Sequence, residues 1–176
     1  DLYGCDVVPE LVSWCSDHLE GGRFSLISPF PPTHFEDNYF DFVFSSSVMT
    51  HLNRDVQKLW LEEVRRILRP GGVFVTSTLG ESAFLRDFSY VRKRGLRARL
   101  KALLEREVRT LDQCGGILDD ITNRSLGSAV PADYYRNVYQ TAGYTKRTWS
   151  EYFEIVQYLE RGLDHYQDLV VMLRPA

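Results

Sequence analysis

The spacing of apolar and polar positions changes repeatedly along the chain, and each change marks an element. Leu2 to Val8 is a short β-branched and aromatic run that predicts a strand. Pro9 then stands where a first helical turn tolerates it, and Leu11, Trp14, Cys15 and Leu19 give Glu10 to Leu19 a helical period. Gly21-Gly22 ends that helix, and Phe24 to Ile27 predicts a second strand. Pro29, Pro31 and Pro32 exclude regular structure from Pro29 to Asn38. Phe40 to Phe44 reads as a strand buried on both faces, ended by Ser45 to Ser47. From about Asp55 to Leu68, Val56, Leu59, Trp60, Val64, Ile67 and Leu68 make an apolar helix face. Lys58, Glu62, Glu63, Arg65 and Arg66 make a solvated one, and Asn53 or Asp55 supplies the N-cap. Pro70-Gly71-Gly72 stops the helix before a buried strand, Val73 to Thr78.

Strand–helix alternation of this kind predicts right-handed crossovers and a parallel sheet. The pattern changes from Gly80 to Ser150. A basic helical stretch is expected from about Ser82 to Thr110, a polar Gly/Asp-rich link from Asp112 to Asn123, and a helix from about Ala132 to Ala142. Tyr152 to Leu159 and Asp168 to Leu173, around a short Gly-containing turn, predict a β-hairpin.

Composition narrows the class. With 176 residues, 44% hydrophobic and 26% charged, the chain supports one domain with a real core. A formal charge of −3 excludes a generally basic nucleic-acid binder. There is no apolar run of membrane-spanning length, no signal peptide is expected from the opening residues, and Cys5, Cys15 and Cys114 form no CxxC pair. Free thiols in a cytoplasmic protein are therefore expected, with no metal site. One stretch departs from the average: Arg92 to Arg109 carries eight basic residues against Glu105 and Glu107, with leucines at helical spacing. It is expected to be a solvated covering helix, or a docking face for an anionic acceptor, RNA or a membrane surface.

Open parallel α/β sheets bind ligands at the carboxyl ends of their strands, which selects Asp6, Ile27-Ser28, Ser45 to Ser47 and Leu79 to Glu81. Asp6 can accept hydrogen bonds from ribose hydroxyls or cap the helix that follows. The serines and Thr50 offer hydroxyls or merely end a strand. His51 and His165 are candidate bases near neutral pH, or a helix-start residue and a turn residue. Tyr134, Tyr135, Tyr139 and Tyr144 can line an acceptor pocket or pack in a core.

Four segments in order resemble a known family. Tyr3 to Leu11 (YGCDVVPEL) looks like the second-strand motif of class I S-adenosylmethionine-dependent methyltransferases, and Phe35 to Ser45 (FEDNYFDFVFS) like their entry to the fourth strand. Ser47 to Leu52 (SVMTHL) is similar to the step that follows. Leu61 to Gly72 (LEEVRRILRPGG) resembles the helix and Gly turn before the fifth strand. The resemblance implies an α/β Rossmann-like sheet, mostly parallel with a C-terminal antiparallel hairpin. It implies a single, partial methyltransferase domain over residues 1–176, with 81–130 as a helical basic insertion or lid. In the family a first strand, followed by a Gly-rich loop, lies between the second and fourth. The chain has no Gly-x-Gly and begins in the second strand, so both are expected to be absent from it.

The implied cofactor is S-adenosylmethionine. Asp6 would hold its ribose, Ile27 and Ser28 would lie near its adenine, and Ser45 and Ser46 would border its methionine end. His51 would be the catalytic base, with Thr50, His165 and Tyr135 on the acceptor side. The implied activity is methyl transfer to a hydroxyl or amino group of a small molecule or glycan. The alternatives are a non-catalytic binding or scaffold module and an RNA-directed enzyme using the basic helix. The lack of Asn-Pro-Pro-Tyr argues against a nucleic-acid partner. An open sheet edge would favour self-association into a homo-oligomer.

Overall fold

A computed structural model describes residues 1–90, 111 and 113–176. The chain opens with β1 (Leu2–Asp6), α1 (Pro9–His18) and β2 (Gly22–Leu26), the two strands pairing in parallel from Leu2 opposite Gly22 to Asp6 opposite Leu26. After the proline loop come β3 (Phe40–Ser45), a 3-10 turn (Met49–His51), α2 (Arg54–Ile67) and β4 (Leu68–Thr78). Asn53 caps α2, its side chain accepting from the backbone N–H groups of Asp55 and Val56. Next stand α3 (Glu81–Tyr90), β5 (Ile117–Thr122), β6 (Arg136–Gln140) and α4 (Ala142–Trp149). The hairpin β7 (Glu154–Leu163) and β8 (Gln167–Leu173) closes the chain as the tail pattern predicts.

Among the described residues, three separate sheets replace the expected one. β3-β4-β8-β7 form a four-stranded sheet, while β1-β2 and β5-β6 stand as pairs. Only β1–β2 and β3–β4 run parallel; β4–β8, β7–β8 and β5–β6 are antiparallel, so the sheet is not mostly parallel. β1 and β3 share no ladder hydrogen bonds. They meet through side chains, with Tyr3 Oη 2.6 Å from Tyr39 Oη and its ring edge-on to Tyr39 and Phe40. The break falls where the resemblance puts a further strand.

Burial follows the pairing. β4 lies between β3 and β8, and Phe74, Leu68, Val170 and Met172 are fully buried with Leu61, Trp149 and Phe153. β3 is paired on one edge only, so the expectation that it is buried on both faces fails: Phe42 and Phe44 are 56% and 52% exposed. α1 buries no residue, and Trp14 and Leu11 stay exposed.

Two local readings are also corrected. Residues 136–140 are strand rather than part of a helix over 132–142, because Asp133 takes a left-handed backbone and Arg136 to Gln140 pair with β5. The helix begins only after Thr141, whose side chain accepts from Tyr144 N–H. On α2, Leu59 is exposed and Glu63 is buried rather than solvated. Of the stretch 81–130, the described part starts in α3 and reaches β5. The basic residues Arg92 to Arg109 lie outside the described residues.

Candidate functional site

The 3-10 turn Met49–His51 follows the end of β3 and carries the two acceptor-side candidates. Thr50 is buried, and its hydroxyl has no hydrogen-bond partner among the described residues. His51 is half-buried, its ring stacked on Tyr135 at 4.1 Å between centroids. Nδ1 of His51 lies 2.8 Å from the Arg136 carbonyl oxygen. A carbonyl can only accept, so Nδ1 carries the proton and Nε2 keeps a lone pair whenever the ring is neutral. Burial pushes the His51 pKa below the ordinary histidine value, against the opposing pull of the Arg136 carbonyl. The side chain is thus a neutral imidazole with one defined basic nitrogen, which suits proton abstraction near pH 7.

The other candidates lie at or just after strand ends. Asp6 closes β1, and its Oδ1 accepts from Val8 N–H at 2.8 Å, while Ile27 N–H donates to the Asp6 carbonyl. The first of these bonds closes a local turn ahead of α1; the expected capping of the helix by Asp6 is not seen, since Val8 is the N-cap and has no side-chain cap bond. Tyr135, stacked on His51, has its pKa raised by burial first and by the Asp6 charge second. Ser45 Oγ pairs with Thr76 Oγ1 at 2.7 Å, across the parallel register of β3 and β4. Ser46 is exposed. Ser28 is exposed, its Oγ accepting from Phe30 N–H at 3.3 Å. Ser47 adopts φ +57°, with its N–H donated to Ser77 Oγ and its own Oγ accepting from Gln167 Nε2 at 2.6 Å. Gln167 thereby ties the β7–β8 turn to the end of β3.

His165 stands in that turn with an exposed side chain, and its carbonyl accepts from Arg161 Nε. Nothing draws its ring to His51. Tyr134, Tyr139 and Tyr144 are buried, and Tyr139 and Tyr166 both donate to Asp87 of α3. Tyr139 therefore holds elements together.

Sequence reasoning missed the carboxamides behind the turn. Gln57 Nε2 donates to the Met49 carbonyl at 3.0 Å and to Gln140 Oε1 at 2.9 Å, and Gln140 Nε2 donates to Thr145 Oγ1 at 2.7 Å. Gln57 and Gln140 are both 1% exposed. The one available signal was a glutamine one turn ahead of Leu61 on the apolar side of α2. Asp168 was also missed. It is buried at the start of β8, accepting from Tyr158 Oη at 2.6 Å and Arg161 N–H at 2.8 Å. Among the described residues, no group of three or more His, Cys, Asp or Glu side chains is placed to hold a metal ion. No described helix is long and apolar enough to cross a membrane.

A family model described as a methyltransferase domain matches residues 1–76. No curated protein matches the chain in sequence. Among solved structures, a SAM-dependent methyltransferase from Methanosarcina mazei is 14% identical with a TM-score of 0.62, over 98% of this chain and 81% of that one. An S-adenosylmethionine dependent methyltransferase from Mesorhizobium loti is 17% identical with a TM-score of 0.58, over 98% and 79%. The N-methyltransferase NodS from Bradyrhizobium japonicum WM9, solved with S-adenosyl-L-homocysteine, is 12% identical with a TM-score of 0.54, over 99% and 67%. At such identities the likeness is one of fold.

Proposed function

We propose, from the premise that residues 1–76 carry a class I S-adenosylmethionine-dependent methyltransferase domain, that the chain methylates a hydroxyl or amino group of a small molecule or glycan. The His51 ring, stacked on Tyr135 in the turn after β3 with Nδ1 held by the Arg136 carbonyl, carries this reading. The residues present fit the cofactor at two ends. Asp6 has a carboxylate oxygen for the ribose hydroxyls, and Ser45 and Ser46 are assigned to the methionine end, Ser46 with an exposed side chain and Ser45 already paired with Thr76. Ile27 and Ser28 are assigned to the adenine side, next to the Asp6 carbonyl. Bound S-adenosylmethionine supplies an electrophilic methyl group on a sulfonium.

Methyl displacement is in line, so the protein chiefly orients the nucleophile and excludes water. Nε2 of His51 takes the proton from the acceptor O–H or N–H, the Arg136 carbonyl steadying the charge that forms on the ring. Tyr135 holds the ring plane, and the unpartnered Thr50 hydroxyl is assigned to the acceptor. His165 is assigned to the outer rim of the acceptor side.

Calorimetry of the full chain with S-adenosyl-L-homocysteine tests the cofactor half. Asp6→Ala should weaken binding about tenfold or more, since a hydrogen bond to a charged group contributes about 1.5–3 kcal/mol. Equal affinity in the variant, or no binding by the parent, defeats the reading. Binding without transfer in the parent, across amine and hydroxyl acceptors, would leave a binding module instead.

A further inference from the structure

We infer that the β5–β6 hairpin is a positioning device for His51, acting through Gln57 and Gln140, and that these buried carboxamides select which ring nitrogen faces the acceptor. The inference deepens the reading of His51 as the base and rests on it. The turn that carries His51 is attached to β6 at both ends. At one end, Leu52 forms an antiparallel bridge with Tyr135, and His51 Nδ1 donates to the carbonyl of Arg136. At the other end, Gln57 Nε2 joins the Met49 carbonyl to Gln140 Oε1, on the last residue of β6.

The direction of this chain is determined by its members. The Met49 carbonyl can only accept, so Gln57 must present its NH2. Gln140 must then present its oxygen to Gln57 and its NH2 to Thr145. Thr145 Oγ1 completes the chain by donating to the Thr141 carbonyl at 3.1 Å. Backbone bonds seat β6 from both sides, with Gln140 N–H on the Leu79 carbonyl and Thr141 N–H on the Gly116 carbonyl. A 3-10 turn of three residues has little hydrogen bonding of its own, here His51 N–H to the Val48 carbonyl. Its placement therefore comes from the strand beside it. With Met49 released, the turn can rotate, and Nδ1 loses the acceptor that keeps its proton. A neutral imidazole freed in this way favours the Nε2–H tautomer, which puts a proton where the base needs a lone pair.

The test is nitrogen NMR of the uniformly labelled full chain at pH 8, with the His51 signals identified by their loss in His51→Asn. The parent should show a protonated Nδ1 and an unprotonated Nε2. Gln57→Met and Gln140→Met keep side-chain length and remove the polar link, and each should make the Nε2–H form the majority. A general loss of stability in a folded variant would not move this signature. If neither variant folds, Thr145→Val, one link further away, should move the balance in the same direction by a smaller amount. An unchanged signature in a folded variant, or a parent already protonated at Nε2, overturns the inference. Retained methyl transfer in His51→Ala would instead defeat the role of His51 as base, so the two failures are separable.

Discussion

Glu63→Gln is the sharpest test of how the loop between β2 and β3 is held against α2. The Glu63 side chain is 4% exposed and accepts from Thr33 N–H (2.8 Å), Thr33 Oγ1 (2.5 Å), Arg66 Nε (2.9 Å) and Arg66 Nη2 (2.7 Å). Burial alone would raise its pKa, but the bonds from Arg66 and Thr33 prevail and hold it below the usual carboxylate range. Glutamine has the same shape, yet it turns one acceptor oxygen into a donor facing donors. With the amide in place of Oε2, the bond from Arg66 Nε is lost, at about 1.5–3 kcal/mol, while Oε1 keeps Thr33 and Arg66 Nη2. Arg66 recovers part of this, because it is 30% exposed and keeps Asp37 and the Phe35 carbonyl. A net loss of about 1–2 kcal/mol remains, equivalent to roughly 2–8 °C in Tm for a domain of this size. Urea denaturation of parent and variant measures it. The sign of the pH dependence follows from the depressed native pKa. The difference should be constant above the ordinary carboxyl pKa of 4.5 and shrink as the pH falls through the lower native value. A difference below about 0.5 kcal/mol would refute the reasoning, given the strengths assigned to these bonds, as would one that persists undiminished at acid pH.

Gly80→Ala places a Cβ 1.8 Å from Asp168 Oδ2, whose carboxylate is anchored by Tyr158 and Arg161. We expect about 1–3 kcal/mol of destabilisation in urea, and an unchanged midpoint would show that Asp168 swings clear. His51 has a lowered native pKa, so just below the ordinary value of 6.5 the unfolded chain binds more protons than the native one. Stability should therefore rise with pH up to about 6.5 and then level off, and a His51→Asn variant with the same slope would contradict this.

The legible parts are those where several local signals agree. α2 combines a helical period with the Asn53 cap, and its observed bounds differ from the expected ones by a residue at each end. The closing hairpin was visible in two apolar runs, and Asp6 and His51 in the motifs around them. The reading of 132–142 failed because Tyr134, Tyr135 and Tyr139 imitate a helical spacing, whereas Asp133 and the β5 partner make residues 136–140 a strand. The split between β1-β2 and the four-stranded sheet falls where a strand was expected to be absent, whereas the separate β5-β6 pair went unforeseen because strand pairing is a non-local choice. Phe40 to Phe44 has the composition of a central strand, but only β4 pairs with it.

Up to Thr78 and again in the closing hairpin, local sequence was enough to place the helices and strands and the residues that close the strands. Those depend on the backbone preferences and side-chain period of neighbouring residues. It also carried the family resemblance that singled out Asp6 and His51. Only the tertiary structure decided which polar groups are buried and what they hold. Gln57 meets Gln140 across 83 positions and His51 meets the Arg136 carbonyl across 85, so no local window contains both partners. A buried polar group is stable only when it is satisfied. Whether Glu63 is a solvated charge or an anchor, and which nitrogen of His51 is basic, therefore depends on a partner supplied by a distant segment.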